Sequence, residues 1–250
     1  MNTNEFELIE NLEKKYLMKY FHFLKFTEDE ILKGLATKND IRDDWVEKWS
    51  NGDKKVSDFN TGAERVIYAL INSKGIGIPN SCPVGSDLMF EVDDAYIHID
   101  LKTVQTSNIG DFANSIFVGN NQISYNGNFT VNGEKRVYDF ANLPHFYMKH
   151  GKEKKYCLTY FLSILHDSET LETLCIHISC FPNGYLGPIY KDSVFKAGKI
   201  PSQARFNFLD CKDFKLAKGR RIFIVYLNEK LEKCESKLKS IIDLQKTQNF

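Results

Sequence analysis

The sequence carries no surplus of charge of either sign: 33 lysines and arginines balance 33 aspartates and glutamates. A nonspecific nucleic-acid coat would be globally basic, so any polyanion bound here has to meet basic residues gathered in one cleft. No apolar run is long enough to span a bilayer; stretches such as Ile222 to Leu227 are strand-sized. Met1 is followed by Asn-Thr-Asn-Glu, with neither a basic start nor an apolar stretch behind it. That opening predicts a cytoplasmic protein with no membrane partner. The six cysteines, Cys82, Cys157, Cys175, Cys180, Cys211 and Cys234, include no C-x-x-C pair. A zinc ribbon or a thioredoxin-like redox motif is thereby disfavoured, and reduced, buried thiols are expected. No internal repeat or low-complexity tract is present, which argues against solenoids and arrays.

What is present is the composition of a globular protein. The 250 residues are 42% hydrophobic and 13% aromatic, enough for one domain with a core that needs no staples. Phe6, Ile9, Leu12, Tyr16, Tyr20 and Phe23 recur at helical spacing over residues 4–26. Thr27-Glu28-Asp29-Glu30 reads as a capping box opening a second helix to about Ala36. Ile41, Trp45 and Trp49 suggest a third. Asn60 or Thr61 can cap a helix over 62–73, striped by Val66, Ile67, Leu70 and Ile71.

Strands follow. Residues 87–92 and 95–104, joined at Asp93-Asp94, read as a hairpin, and 105–130 as a long irregular segment. Residues 156–165 and 173–181 read as central strands, 220–227 as a late strand, and 228–246 as an amphipathic helix with Leu231, Cys234, Leu238, Ile241 and Ile242 inward. The expected class is α/β with a central mixed sheet flanked by helices. The expected organisation is a single domain, with a helical segment over 1–55, a core over 56–227 and a terminal helix over 228–250.

The richest stretch runs from Pro83 to Thr103. On a strand, Ile97, Ile99 and Leu101 face one way and Tyr96, His98, Asp100 and Lys102 the other. This sets a carboxylate beside an ammonium, and Asp87 reaches the same spot if the two strands pair. Phosphodiester hydrolysis uses such a set. Carboxylates hold Mg²⁺, and a neighbouring lysine orients or helps deprotonate a water and offsets charge on the phosphate.

The pattern D-x(12)-D-x-K on a hairpin, after a helix carrying an acid, resembles the PD-(D/E)xK nuclease superfamily, and the layout is similar to a type II restriction endonuclease. The resemblance rests on residues 62–106. It implies a restriction-endonuclease-like core and matches Asp87 and Asp100 to the motif acids and metal ligands and Lys102 to the motif lysine. Glu64 matches the helix acid that some members use. Ser86 stands directly before Asp87, where many members have proline; the nearest here is Pro83. Asp213-Phe-Lys215 is a second D-x-K match without that setting.

Asn120, Asn121, Gln122, Ser124 and Tyr125 follow the active-site strand. Amides there can read adenine edges, and hydroxyls can bind phosphates. Arg205 is a further candidate contact. The basic run Lys212, Lys215, Lys218, Arg220 and Arg221 is either a phosphate clamp or a solvated turn. His98 shares the face of Asp100. Cys175 and His177 face away from Cys180 on one strand, which argues against a shared metal. The expected function is Mg²⁺-dependent, sequence-specific cleavage of double-stranded DNA by a homodimer, since the chain holds one catalytic set and many restriction sites are palindromic. The alternatives are a repair or structure-selective nuclease on the same core, or an inactive DNA-binding module.

Overall fold

Ala95, Ile97, Ile99 and Leu101 alternate with polar residues because successive side chains of a strand point to opposite faces. The structure, a computed structural model, describes residues 3–40, 58–73, 77–79, 86–198, 203–229, 231 and 235–248. Strand β3 (Ala95–Gln105) pairs antiparallel with β2 (Leu88–Glu91) and parallel with β8 (Glu153–His166). The seven-stranded sheet runs β1-β2-β3-β8-β9-β12, with β1 at Ile78–Pro79, β9 at Thr173–Phe181 and β12 at Ile222–Leu227. Strand β7 (Phe146–Lys149) also joins β8. The hairpin expectation holds, and β3 is an interior strand of a mixed sheet rather than a solvated edge.

Directly paired residues share a sheet face. One face therefore carries Ile97, Ile99, Leu101, Leu158, Tyr160, Leu162, Ile178 and Cys180. Helix α1 (Thr3–Phe26), α2 (Glu28–Asp40) and α3 (Asp58–Ser73) pack on that side. In α3 the residues Phe59, Ala63, Ile67 and Ile71 are buried at i+4 spacing. Inside α1, Glu10 and Glu13 are as buried as its leucines and bracket Arg221; Glu13 Oε2 lies 2.6 Å from Arg221 Nη2. The expected stripe of α1 misses both acids.

The opposite face carries His98, Asp100, Lys102, Thr159, Phe161, Ser163, His177, Ser179 and Phe181. Sequence alternation suggests a wet polar face. The structure covers it instead with a second layer. Strands β4 (Ile116–Phe117), β10 (Phe195–Ala197) and β11 (Ala204–Phe206) form a three-stranded sheet, and Phe206 packs on Phe161 and Phe181. The 105–130 segment thus folds as part of this layer, with a helical turn at Gly110–Ala113 and a 3-10 turn at Asn120–Gln122.

Three further expectations are corrected. Thr27 does not cap α2: its hydroxyl donates back to Phe23 O at 3.0 Å. Helix α3 starts at Asp58, so Asn60 lies within its first turn and accepts from the Thr103 hydroxyl of β3. The last helix, α4 (Glu235–Lys246), starts later than Asn228, whose amide is held by Glu172 and Thr173 O. A two-stranded ribbon, β5 (Gly127–Val131) and β6 (Glu134–Tyr138), turns at Asn132-Gly133, both with positive φ (51° and 86°). That is the primed hairpin turn an Asn-Gly pair favours.

Cys157, Cys175, Cys180 and Cys211 are buried thiols outside any disulfide. The helix proposed around Trp45, the Thr61 side chain, Pro83, Cys82 and Cys234 lie outside the described residues. Among the described residues no helix is long and apolar enough to cross a membrane.

Candidate active site

Because β2 and β3 pair Leu88 with Ile99, one further step sets Asp87 opposite Asp100. Asp87 follows this geometry: its Oδ2 accepts from Leu101 N at 2.7 Å. Asp100 is 1% exposed, and its Oδ2 forms an ion pair with Lys102 Nζ at 2.5 Å without hydrogen-bond alignment. Lys102 also lies 5.6 Å from the Phe161 ring and 5.8 Å from the half-exposed Phe117 ring. Glu64, exposed on α3, shares a cleft of about 260 Å³ with Arg65, Tyr68, Asp87, Leu88 and Leu101. Asp87, Asp100 and Lys102 thus meet at the start of β2 and the middle of β3, and Glu64 shares the cleft with Asp87.

The electrostatics agree with this convergence. Burial pushes the Asp100 carboxyl up to about 6; Lys102 opposes the rise, and Asp87 and Glu64 add to it. Burial, with the Asp87 charge behind it, also holds Glu64 above its ordinary value. Carboxylates that raise one another are a site with negative charge in excess. A divalent cation would relieve that excess. Among the described residues no three His, Cys, Asp or Glu side chains converge tightly enough to enclose an ion unaided. Mg²⁺ does not require such a cage, since it commonly takes one or two carboxylates together with water and substrate phosphate. The donor set therefore fits Mg²⁺ held jointly with a substrate.

The residues expected to face DNA divide into two groups. Asn120 and Asn121 are exposed; their side-chain oxygens accept from Tyr138 OH (3.0 Å) and Asn142 Nδ2 (2.9 Å). Lys218 is exposed at the far edge of the sheet, where Lys14 Nζ bonds its carbonyl. The other group is engaged inside. Ser124 Oγ accepts from Gly184 N at 3.0 Å, and Tyr125 OH donates to Lys191 O at 2.8 Å. Arg205 is buried, bonded to Ser115 and paired with Asp111 at 3.0 Å. Arg220 holds the end of α4 through Leu244 O and Thr247, and Arg221 is locked between the two α1 acids. Gln122 turns its amide towards Asp100 and Lys102. His98 is wholly buried, with the Leu158 main chain beside its ring.

Sequence reading missed Arg65 and Tyr68, which line the cleft beside Asp87. Tyr68 lies four residues beyond Glu64 and three beyond Arg65 on the same helix, and that spacing was the available signal.

A family model described as type II restriction enzyme MwoI, N-terminal domain, matches residues 5–170, and the model of the MwoI central domain matches residues 173–227. No curated protein matches the chain. Among solved structures, the restriction endonuclease BglI bound to its DNA recognition sequence is similar, with a TM-score of 0.66 and 12% identity over 88% of this chain and 93% of BglI. The tetrameric restriction endonuclease SfiI bound to cognate DNA gives 0.63 and 16% identity over 90% of this chain and 85% of SfiI. At these identities the two neighbours speak to the fold, and the fold they share is the one described above.

Proposed function

Since the chain belongs to the MwoI family of type II restriction enzymes, we propose that Asp87, Asp100 and Lys102 form the catalytic centre of a Mg²⁺-dependent endonuclease that cuts double-stranded DNA at a specific sequence. The chain is a type II restriction endonuclease, a hydrolase of phosphodiester bonds. The observation that carries the residue assignment is the junction of β2 and β3, where Leu101 N fixes Asp87 opposite Asp100 and Lys102 lies 2.5 Å from the Asp100 carboxylate.

Asp87 and Asp100 would hold Mg²⁺, which polarises a phosphate and acidifies a bound water. Lys102, anchored at Asp100, offsets negative charge growing on the phosphate and orients the attacking water through Nζ. Glu64 adds a carboxylate on the α3 side of the cleft. Asn120 and Asn121 supply amides on the outer surface of the same turn, with chemistry suited to base edges or phosphates. Lys218 suits phosphate contact. Ser124, Tyr125, Arg205 and Arg220 would support that surface from within, because their polar atoms are already bonded to the protein. The whole chain acts as one endonuclease domain. One catalytic set per chain makes a double-strand break the work of a homodimer.

A plasmid digest tests this reading. Discrete fragments are expected with Mg²⁺, binding with little cutting with Ca²⁺, and no cutting in excess EDTA. Sequencing the cut ends gives the site, and sedimentation with and without that duplex gives the assembly. Activity in EDTA, or cutting by Asp100→Ala at the wild-type rate, overturns the assignment.

A further inference from the structure

Gln122 belongs to the turn whose asparagines face outward, yet its amide is spent inside. Nε2 donates to Asp100 Oδ1 at 2.5 Å; Oε1 accepts from Lys102 Nζ at 3.1 Å and from Gly119 N at 2.7 Å. The orientation of this amide is dictated by its partners. An ammonium and a main-chain N–H only donate, so both must face the oxygen, and an ionised carboxylate only accepts, so it must face the NH₂.

The carrier of the amide is held on both sides. Thr159 Oγ1 on β8 donates to Gln122 O at 3.1 Å, and Gln122 N closes on Gly119 O at 3.1 Å. Two residues on, Ser124 Oγ accepts from Gly184 N, and a Cβ at Gly184 would fall 2.0 Å from Ser124 O. Glycine there lets the two segments touch.

We propose that Gln122 is a positioning residue for cleavage, orienting the Asp100 carboxylate and the Lys102 ammonium together, and not a reader of base edges. A carboxylate can rotate about its last bond. Tying Oδ1 to Gln122 fixes that rotation and sets Oδ2 towards Lys102; the carboxylate so oriented would hold Mg²⁺ together with Asp87. The same amide gives Lys102 a second acceptor besides Asp100. Hydrogen bonds behind a ligating carboxylate commonly change metal affinity or activity about 10- to 100-fold.

The proposal rests on the catalytic assignment of Asp100 and Lys102, so Asp100→Asn is run beside the Gln122 variants. Gln122→Met keeps length and removes the hydrogen bonds. Gln122→Glu keeps the acceptor for Lys102 and Gly119 and loses the donor to Asp100. Four readings are taken: single-turnover cleavage at saturating Mg²⁺, calorimetric Ca²⁺ binding to the protein–duplex complex, metal-free affinity for the cognate and a mismatched duplex, and the thermal midpoint.

For Gln122→Met the expected result is a cleavage rate lower by about 10- to 100-fold, with weaker Ca²⁺ binding. Duplex affinity and discrimination should be unchanged. Gln122→Glu should fail to restore the rate, and it carries the same comparison if Gln122→Met does not fold. Wild-type cleavage with weakened or relaxed duplex binding overturns the proposal in favour of base reading. A dead Asp100→Asn beside a fully active Gln122→Met overturns the proposal alone. Wild-type cutting by Asp100→Asn overturns the catalytic assignment and the proposal with it.

Discussion

The two faces of the central sheet both bury polar groups, and they treat them differently. On the side of α1, Glu10, Glu13 and Arg221 are partnered throughout. Glu10 accepts from Tyr190 OH and from the main chain at Leu216 and Ala217, Glu13 from Asn183 N and Arg221, and the guanidinium stacks on Phe214 and Tyr190. On the opposite side, Ser163, His177 and Ser179 have polar atoms with no hydrogen-bond partner, and Asp100 Oδ2 meets only the Lys102 ammonium. Each unsatisfied buried group costs about 1 to 3 kcal/mol. The buried charges of the first face hold the molecule together, although Tyr20 OH, beside Tyr160 on that face, has no hydrogen-bond partner. The unpartnered groups of the second weaken it, and they flank Asp100, the proposed catalytic carboxylate. Strain and desolvation concentrated beside a reactive centre are common in enzymes.

The largest expected effect breaks the first face. Arg221→Met leaves two buried carboxylates without their counter-ion. Removing one partner of a buried pair typically costs about 3 to 5 kcal/mol. We expect a steep fall in the urea midpoint, or failure to fold. A midpoint unchanged from wild type would mean that the Glu10–Arg221–Glu13 cluster does not hold the sheet to α1.

Asp100→Asn should do the reverse. Cleavage should vanish while stability in metal-free buffer rises. The Asp100 carboxyl titrates at about 6 in the folded chain, above its ordinary value. The unfolded chain therefore ionises it more easily, and the folded state loses stability as pH rises from the unfolded value through about 6. Asparagine removes that loss, so its advantage should be small near pH 4 and full above pH 7, at about 1 to 3 kcal/mol. Denaturant titrations at both pH values measure it. An advantage that is largest at pH 4 would contradict the sign.

The part of this contrast that is visible in sequence is the part built from neighbours. Asp100 and Lys102 lie two apart on a strand, and Asp87 comes opposite by counting back through a short turn, so alternation and hairpin arithmetic reach all three. The Asn132-Gly133 turn was equally readable, although the strand that leads into it, β5, starts within the 105–130 stretch expected to be irregular. The parallel pairing of β3 with β8 leaves no local mark, because its partner starts some fifty residues on. Without that pairing the polar side of β3 looks solvated. Glu10 and Arg221 are 211 residues apart, and a glutamate on a helix or an arginine in a basic run reads as surface until the contact is seen. Gln122 misleads for a related reason: a polar residue in a loop is expected to face outward, and its inward turn depends on β8 and Gly119.

His177 sharpens the comparison in the acid range. It lies against Phe112 and Phe208, its ring centroid 4.7 and 5.3 Å from theirs, and neither nitrogen has a partner. Burial pushes its imidazole down to about 3. The unfolded chain takes up the proton near 6.5, so the contribution of a neutral His177 is whole above 6.5 and is lost as pH falls towards 3. His177→Phe removes the titration and suits the aromatic surroundings. Its stability curve should fall less steeply than wild type between pH 6.5 and 4. Parallel curves would show that other groups set the acid limit.

The smallest effect is expected at Ser179, and it tests the contrast most cleanly. Ser179 is fully buried on β9, on the face of Asp100, between Phe161 of β8 and Ile222 of β12. Its hydroxyl has no partner, so Ser179→Ala removes a desolvated group and breaks no hydrogen bond. The lost volume is one oxygen, too small to open a costly cavity. We expect stability unchanged or raised by less than about 1 kcal/mol. Asn183→Ala is the matched control on the other kind of site. Its amide donates to His145 O and Cys157 O and accepts from Tyr185 N. Truncation there strands three partners, so it should destabilise by about 2 kcal/mol or more. Urea unfolding of the two variants at one pH compares them directly. A Ser179→Ala loss as large as that of Asn183→Ala would mean that the second face is satisfied as fully as the first, and the contrast between them would fail.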